Sequence, residues 1–541
     1  MHRSKVISLA AVGSAFGQCA AYTTSSAAAS PTVALDYAQY EGTRYAAGVD
    51  AFLGMRFAAP PLGDLRFRAP QDPLVESDTQ EAKAFGPVCL GTDQSLSSST
   101  AEDCLFVNVF KPPNATADSG LPVWVYIQGG GYATNSNANY NGTEVVQKSD
   151  QGIVFVNFNY RVGLFGFLAS DDVRQDGDLN VGLLDQRELL AWVQKYIQQF
   201  GGDPDHVVIH GTSAGGGSVS YHLTAYGGRD DHLFAGAIAQ SPFWPTAPAV
   251  EEMEFQYEQL LNETDCLASN DSLACLRSLD TSAFVPFDVE GTFPGASSVA
   301  RWYWLPVKDG DLIRDDKWNM YDRGEFVRVP LLVATDNNEG SVFVPNSSTS
   351  ANVTAFFKNN YPGLNDTELQ SIVDEYPLMP PLPEHAAWFP SVSAAYGDAT
   401  FLCPANSMAD NMASYFSPDQ VWQYRCYITT ASSRASGVGT THTMEMPAIL
   451  GTNLKSSGVD STWFNENAAS VPVLMHYFIS FIQALDPNKY RYESAPFWDS
   501  WGSGAGRRLH LETNATRMED VPESMVNDCS FWDDLSDSME V

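Results

Sequence analysis

Ser213 sits in the segment Phe200–Gly215, FGGDPDHVVIHGTSAG, where the residue types and spacing could do nucleophilic chemistry. A β-branched run, Val207-Val208-Ile209, leads straight into Gly211-Thr212-Ser213-Ala214-Gly215, and small residues able to start a helix follow. A G-x-S-x-G pattern at a strand end puts the serine on a tight strand-to-helix turn and lifts its hydroxyl above the sheet. The two glycines let the backbone fold back without Cβ clashes. A plain Gly-rich turn carrying a solvated serine would show the same five residues, so the pattern must be weighed with its partners.

A serine hydroxyl is a poor nucleophile at neutral pH. It needs a base within hydrogen-bond reach and an acid to orient that base. In the strand–turn–helix arrangement these follow in the order serine, acid, histidine. His385, His442, His476 and His510 all lie downstream, and position alone does not choose among them. His442 stands in a Gly/Ser/Thr-rich loop (SGVGTTHTMEMP, 436–447) that can deliver an imidazole to a site without core packing of its own. His476 falls in an apolar helical pattern, and His210 precedes the turn within the strand, where a satisfied structural histidine is expected. Leu331–Ala334 runs into Thr335-Asp336-Asn337-Asn338-Glu339-Gly340, so both Asp336 and Glu339 stand where a strand end would present a carboxylate. An oxyanion needs backbone N–H donors. Ala214, after the nucleophile, offers one. The Gly-rich turn Gln128-Gly129-Gly130-Gly131-Tyr132, after the apolar run 121–127, offers more. A phosphate-binding reading of that turn is disfavoured, because it carries no G-x-x-x-x-G-K-[ST] pattern and no nearby lysine.

The elements that must position these residues alternate. Leu121–Ile127, Gly152–Tyr160, Val207–Ile209, Leu233–Ala239, Val329–Ala334 and Val421–Tyr427 read as buried strands, and Leu189–Phe200 has helical spacing. Such βα alternation predicts an α/β fold with a mostly parallel sheet covered on both faces. Polar stretches at 91–102, 345–352 and 430–441 read as loops, and 355–400 as helices and loops capping the sheet. Trp302, Tyr303 and Trp304 could line a binding gorge, with plain core packing as the alternative.

The chain of 541 residues has a net charge of −35, which repels phosphate backbones and argues against nucleic-acid binding. It has no apolar run near the roughly 18 residues of a membrane span. His2, Arg3 and Lys5 precede the apolar stretch Val6–Gly17, and small residues follow, which predicts a signal peptide over 1–20 and a single domain over 21–541. Eight N-x-S/T sequons begin at Asn114, Asn141, Asn262, Asn270, Asn346, Asn352, Asn365 and Asn514, and favour a secreted, extracellular glycoprotein. Without Cys19 seven cysteines remain, and the lack of a C-x-x-C pair argues against zinc. Export implies disulfides, with at least one thiol left over.

These segments resemble the type-B carboxylesterases, the family that includes cholinesterases, carboxylesterases and several fungal lipases. Phe200–Gly215 matches the family's serine signature, and Glu102–Pro112 (EDCLFVNVFKP) its second signature. The likeness runs from Phe52 to Trp532. It implies an α/β-hydrolase fold and ester cleavage through an acyl-enzyme, with no metal or organic cofactor. It implies Glu339 rather than Asp336 as the acid, His442 as the base, and Gly130, Gly131 and Ala214 as oxyanion donors. It implies a serine, Ser241, near the triad and a buried ion pair, Arg66–Glu102. It also implies the disulfides Cys89–Cys104, Cys266–Cys275 and Cys403–Cys529, leaving Cys426 over; pairing of Cys403 with Cys426 is the alternative. The Cys89–Cys104 loop holds fourteen residues and no aromatic. It is longer in cholinesterases, where a tryptophan stacks on the quaternary ammonium, and longer still in fungal lipases, where it is a lid. The substrate expected is therefore a small-molecule or lipid ester other than choline esters, with two alternatives: an interfacial lipase or sterol esterase, or a non-catalytic adhesion protein. Neither acyl length nor oligomeric state follows from these residues.

Overall fold

The structure, a computed structural model, describes residues 30–136, 139–452, 459–502 and 506–541. The expected signal peptide lies outside the described residues. The main sheet contains β1 (Thr43–Tyr45), β2 (Val49–Arg56), β3 (Phe106–Lys111), β4 (Leu121–Ile127), β5 (Val154–Phe158), β6 (Gly202–Thr212), β7 (Gly236–Gln240), β8 (Leu331–Asp336), β9 (Val421–Cys426), β10 (Arg507–Leu511) and β11 (Arg517–Asp520). Their order in space is β1-β2-β3-β5-β4-β6-β7-β8-β9-β10-β11. From β5 to β10 every neighbouring pair is parallel. The margins are antiparallel.

The central strands read as unbroken apolar runs because both of their faces are covered. Val207, Ile209, Ala237, Ala239, Leu331 and Val333 join one buried cluster. Val208, Ile238, Leu332 and Ala334 join the other, as the period-2 alternation of a strand requires. Removing each of the Val, Leu and Ile side chains among them from water contributes about 1.5–3 kcal/mol. Helix α1 (Val181–Tyr196) places Leu183, Leu189, Leu190 and Val193 in the first cluster. Helix α2 (Ala214–Gly228), kinked at Ala225–Gly227, leaves the end of β6. Helix α3 (Cys403–Tyr415) covers β8 and β9, and helix α4 (Ser470–Ala484) puts Leu474, Phe478, Phe481 and Ile482 into the second cluster.

The strands differ from their sequence-based bounds by a few residues at most, except β6, which extends to Gly202–Thr212. The stretch 430–441 is a correction: it holds a helix, Ala431–Ser436, started by a capping box in which the Thr430 hydroxyl accepts from the Ser433 N–H. The region 355–400 is carried by helices at Ser350–Asn360, Asp366–Glu375 and Phe389–Gly397. Disulfides join Cys89 to Cys104, Cys266 to Cys275 and Cys403 to Cys529, and Cys426 is a buried free thiol, so the Cys403–Cys426 alternative is not formed. Arg66 and Glu102 form a buried bidentate pair at 2.6 and 2.8 Å.

Candidate active site

At the end of β6 the chain reverses so tightly that only glycine fits at two places. A Cβ on Gly211 would lie 1.9 Å from the Gly215 carbonyl oxygen, and one on Gly215 would lie 2.1 Å from that of Ile127. Between them Ser213 adopts φ 61° and ψ −123°, a conformation an L-residue keeps only under constraint. The constraint is visible: the Ser213 N–H donates to the Gln240 carbonyl at 3.0 Å, and the Ser213 carbonyl accepts from the N–H groups of Gly217 and Phe243. The serine is thus tied to both β7 and the first turn of α2.

Glu339 follows β8 by three residues, and His442 follows the helix after β9. His442 Nδ1 meets Glu339 Oε2 at 2.5 Å, with both side chains nearly buried. The other Glu339 oxygen accepts the Asp336 backbone N–H at 2.6 Å. A carboxylate is an acceptor, so Nδ1 carries the proton and Nε2 keeps its lone pair. Nε2 is buried and, among the described residues, has no hydrogen-bond partner. Asp336, the other carboxylate candidate, points elsewhere: its Oδ2 accepts the Thr443 N–H at 2.6 Å. The remaining downstream histidines are occupied away from this loop. His510 lies on β10 between Glu512 and Glu519. His476 on α4 and His385 contact carbonyls of Pro472 and Pro383. His210 is buried, and burial pushes its imidazole down to about 3, so it stays neutral as expected of a structural histidine.

The Gly-rich turn after β4 faces the same edge. Gly130 and Gly131 have φ of 120° and 65°. A Cβ would strike the Thr134 carbonyl from Gly130 and the Trp302 ring from Gly131, each at 2.0 Å. The Gly130 carbonyl accepts from Ala133 and Thr134 N–H, and that of Gly129 from Ser136 N–H, so the carbonyls are used inside the turn. Ala214 opens α2, where leading N–H groups lack intrahelical partners and favour negative charge. Tyr303 and Trp304 are core residues. Trp302 packs against the edge of that core: half-buried, it lies on Gly131 and donates its indole N–H to the Tyr396 hydroxyl at 3.1 Å. With Phe243, Phe343 and Phe401 it forms an aromatic wall that reaches the His442 ring, whose centroid is 4.6 Å from that of Phe401. Ser241 is buried at φ 45° and its hydroxyl has no partner among the described residues.

Sequence reasoning missed the polar layer beneath. Gln240 links Thr212 to Glu445, at 2.9 and 2.7 Å, and the Tyr424 hydroxyl also donates to Glu445 at 2.7 Å. Gln240 ends the apolar strand Gly236–Gln240, where a lone polar residue was the available signal, whereas Tyr424 stands between Gln423 and Arg425 and gave none.

Comparison with known proteins agrees with this geometry. Residues 29–532 match the model of the carboxylesterase family. The chain is 30% identical to lipase 2 of Geotrichum candidum, over 87% of this chain and 90% of that protein. It is likewise 30% identical to secreted lipase 4 of Gibberella zeae, over 90% and 88%. The crystal structure of Aspergillus niger EstA superposes with a TM-score of 0.93 at 56% identity, covering 95% of this chain and 99% of that one. A strained serine turn, a histidine–glutamate pair and a glycine turn on one edge of an α/β-hydrolase sheet fit that match, and the chain belongs to the carboxylesterase family, as a carboxylic ester hydrolase.

Proposed function

We propose that this hydrolase works through an acyl-enzyme on Ser213. His442 Nε2 takes the serine proton as Oγ attacks the ester carbonyl, and the developing oxyanion is met by the N–H groups of Gly130, Gly131 and Ala214. The imidazolium, stabilised by Glu339, then gives its proton to the leaving alcohol. Water repeats the sequence on the acyl-enzyme and releases the acid. The observation that carries this reading is the 2.5 Å His442–Glu339 contact, with Nε2 buried and without a hydrogen-bond partner among the described residues. Stopped-flow hydrolysis of p-nitrophenyl acetate with Ser213→Ala tests it: turnover is expected to drop by at least about 10³-fold. A variant that keeps wild-type turnover overturns the assignment.

We place the enzyme outside the cell. Seven of the eight sequon asparagines are exposed, with Asn141 half-buried, and the three disulfides suit an oxidising compartment. The aromatic wall suits an apolar acyl group. A lipase reading is favoured by the names of the relatives at 30% identity, whereas the short Cys89–Cys104 loop, 15 residues apart, favours soluble esters. A panel of p-nitrophenyl esters separates the two. A Michaelis curve unchanged across the solubility limit supports the esterase, and a sharp rise above it supports the lipase.

A further inference from the structure

Behind the imidazole runs a chain of donors and acceptors that the proposed reaction does not use. The Trp124 indole N–H donates to His210 Nδ1 at 3.2 Å, so the His210 proton is on Nε2, which donates to Gln240 Oε1 at 3.2 Å. The Thr212 hydroxyl donates to the same Oε1. The Gln240 amide nitrogen therefore faces Glu445, and Glu445 Oε1 accepts from it and from Tyr424. Two oxygens are left over. Glu445 Oε2 and Asp336 Oδ1 are buried and have no hydrogen-bond partner among the described residues, with the Cys426 thiol, a weak donor, beside them. The two carboxyl groups lie together: oxygens of both, with the Cys426 sulfur, come within 4.8 Å of one another. Two adjacent buried carboxyl groups with only a weak thiol donor beside them are reconciled by one proton between them.

The other side of Asp336 reaches the triad. Its Oδ2 holds the N–H of Thr443, the residue after His442. Thr443 sits at φ 58°, where a β-branched residue is strained and persists only if its surroundings hold it.

Building on the Ser213–His442–Glu339 reading, we propose that Asp336 carries a proton on Oδ1, donates it to Glu445 Oε2, and acts as a positioning residue. It fixes Thr443, and through it the His442 ring, while staying uncharged beside Glu339. Burial, then the negative charges of Glu445 and Glu339, push the Asp336 carboxyl well above the usual carboxylate range. The other titratable groups packed on it are Cys426 and Tyr424 of β9, both also pushed up by burial and adding no charge at neutral pH. Loss of the shared proton at high pH would put a further negative charge beside Glu339 and loosen the Thr443 anchor.

The test compares Asp336→Asn, which keeps one donor and one acceptor in the same shape, with Asp336→Leu, which keeps neither. Asp336→Asn is expected to hold kcat within about threefold at neutral pH, and to lose an alkaline fall in kcat that the wild type shows. Asp336→Leu is expected to lose kcat by about 10²-fold with KM little changed, as for a small misplacement of a catalytic group. Infrared difference spectra read the proton directly: a protonated-carboxyl stretch in wild type that shifts in D2O is expected to vanish in Asp336→Asn. The proposal is overturned if wild type minus Asp336→Asn shows no such band, or if Asp336→Asn is as impaired as Asp336→Leu. Glu339→Gln in the same assay scores the triad separately, since its failure to impair turnover would sink that reading and leave the infrared result standing.

Discussion

Two buried polar regions of this molecule are built on opposite terms. Around Arg66 every bond is made. Its Nε and Nη2 grip both oxygens of Glu102, its Nη1 donates to the carbonyls of Leu276 and Leu279, and the Thr281 hydroxyl completes Glu102. The guanidinium also lies 4.6 Å over the Phe284 ring. Around His442 the bonds are left incomplete. Among the described residues His442 Nε2 and Ser241 Oγ have no hydrogen-bond partner, Asp336 Oδ1 and Glu445 Oε2 have none but the proton proposed between them, and Ser213, Ser241 and Thr443 hold positive φ. A closed network fixes structure; around His442, unmet groups and positive-φ residues gather at the site proposed for catalysis.

The comparison breaks most visibly at Glu339. Glu339→Gln keeps the shape but removes the charge that, in the proposed mechanism, orients and stabilises the imidazole, so kcat is expected to fall by about 10²–10⁴-fold. Thermal unfolding should move little, because the amide still accepts from Asp336. At the closed region the effect should be the reverse. Arg66→Met leaves Glu102 buried and unpaired, with an expected loss of about 3–5 kcal/mol in denaturant unfolding and no change in kcat per folded molecule. Replacing Glu102 by Leu as well should recover much of that loss, since the cost lies in the stranded charge.

The smallest effect separates an unmet oxygen from catalysis. Asp288 is buried, accepts from the Thr92 hydroxyl and the Leu164 N–H, and its Oδ2 has no partner among the described residues. Burial pushes it up to about 7. Its folded pKa is above its unfolded one, so the folded state holds the proton more tightly, and stability falls as pH rises from about 4 through 7. Asp288→Asn cannot ionise. It is expected to gain about 1 kcal/mol or more at pH 8, with no gain at pH 4, and to leave kcat unchanged. Unfolding curves at the two pH values check this.

The sheet was legible in the sequence because both of its faces are buried, so strands such as Leu121–Ile127 and Leu331–Ala334 stand out as apolar runs between turns. The serine turn was legible because glycine is sterically forced at 211 and 215. The polar layer was not. Gln240, Tyr424 and Asp336 act through contacts made across four strands, which no local pattern encodes. The choice between Asp336 and Glu339 shows the same limit. Three residues apart on one strand end, they differ in chemistry only after the loop has turned one to the imidazole and the other to the Thr443 N–H.

The central claim is that one serine, Ser213, is the nucleophile. An organophosphate added in excess, followed by intact-mass and peptide mass spectrometry, tests it directly. The expected result is one adduct per molecule, on the peptide containing Ser213, appearing in step with the loss of esterase activity and absent from Ser213→Ala. Full inactivation with the adduct on another residue, or an active folded enzyme that takes no label, would contradict it.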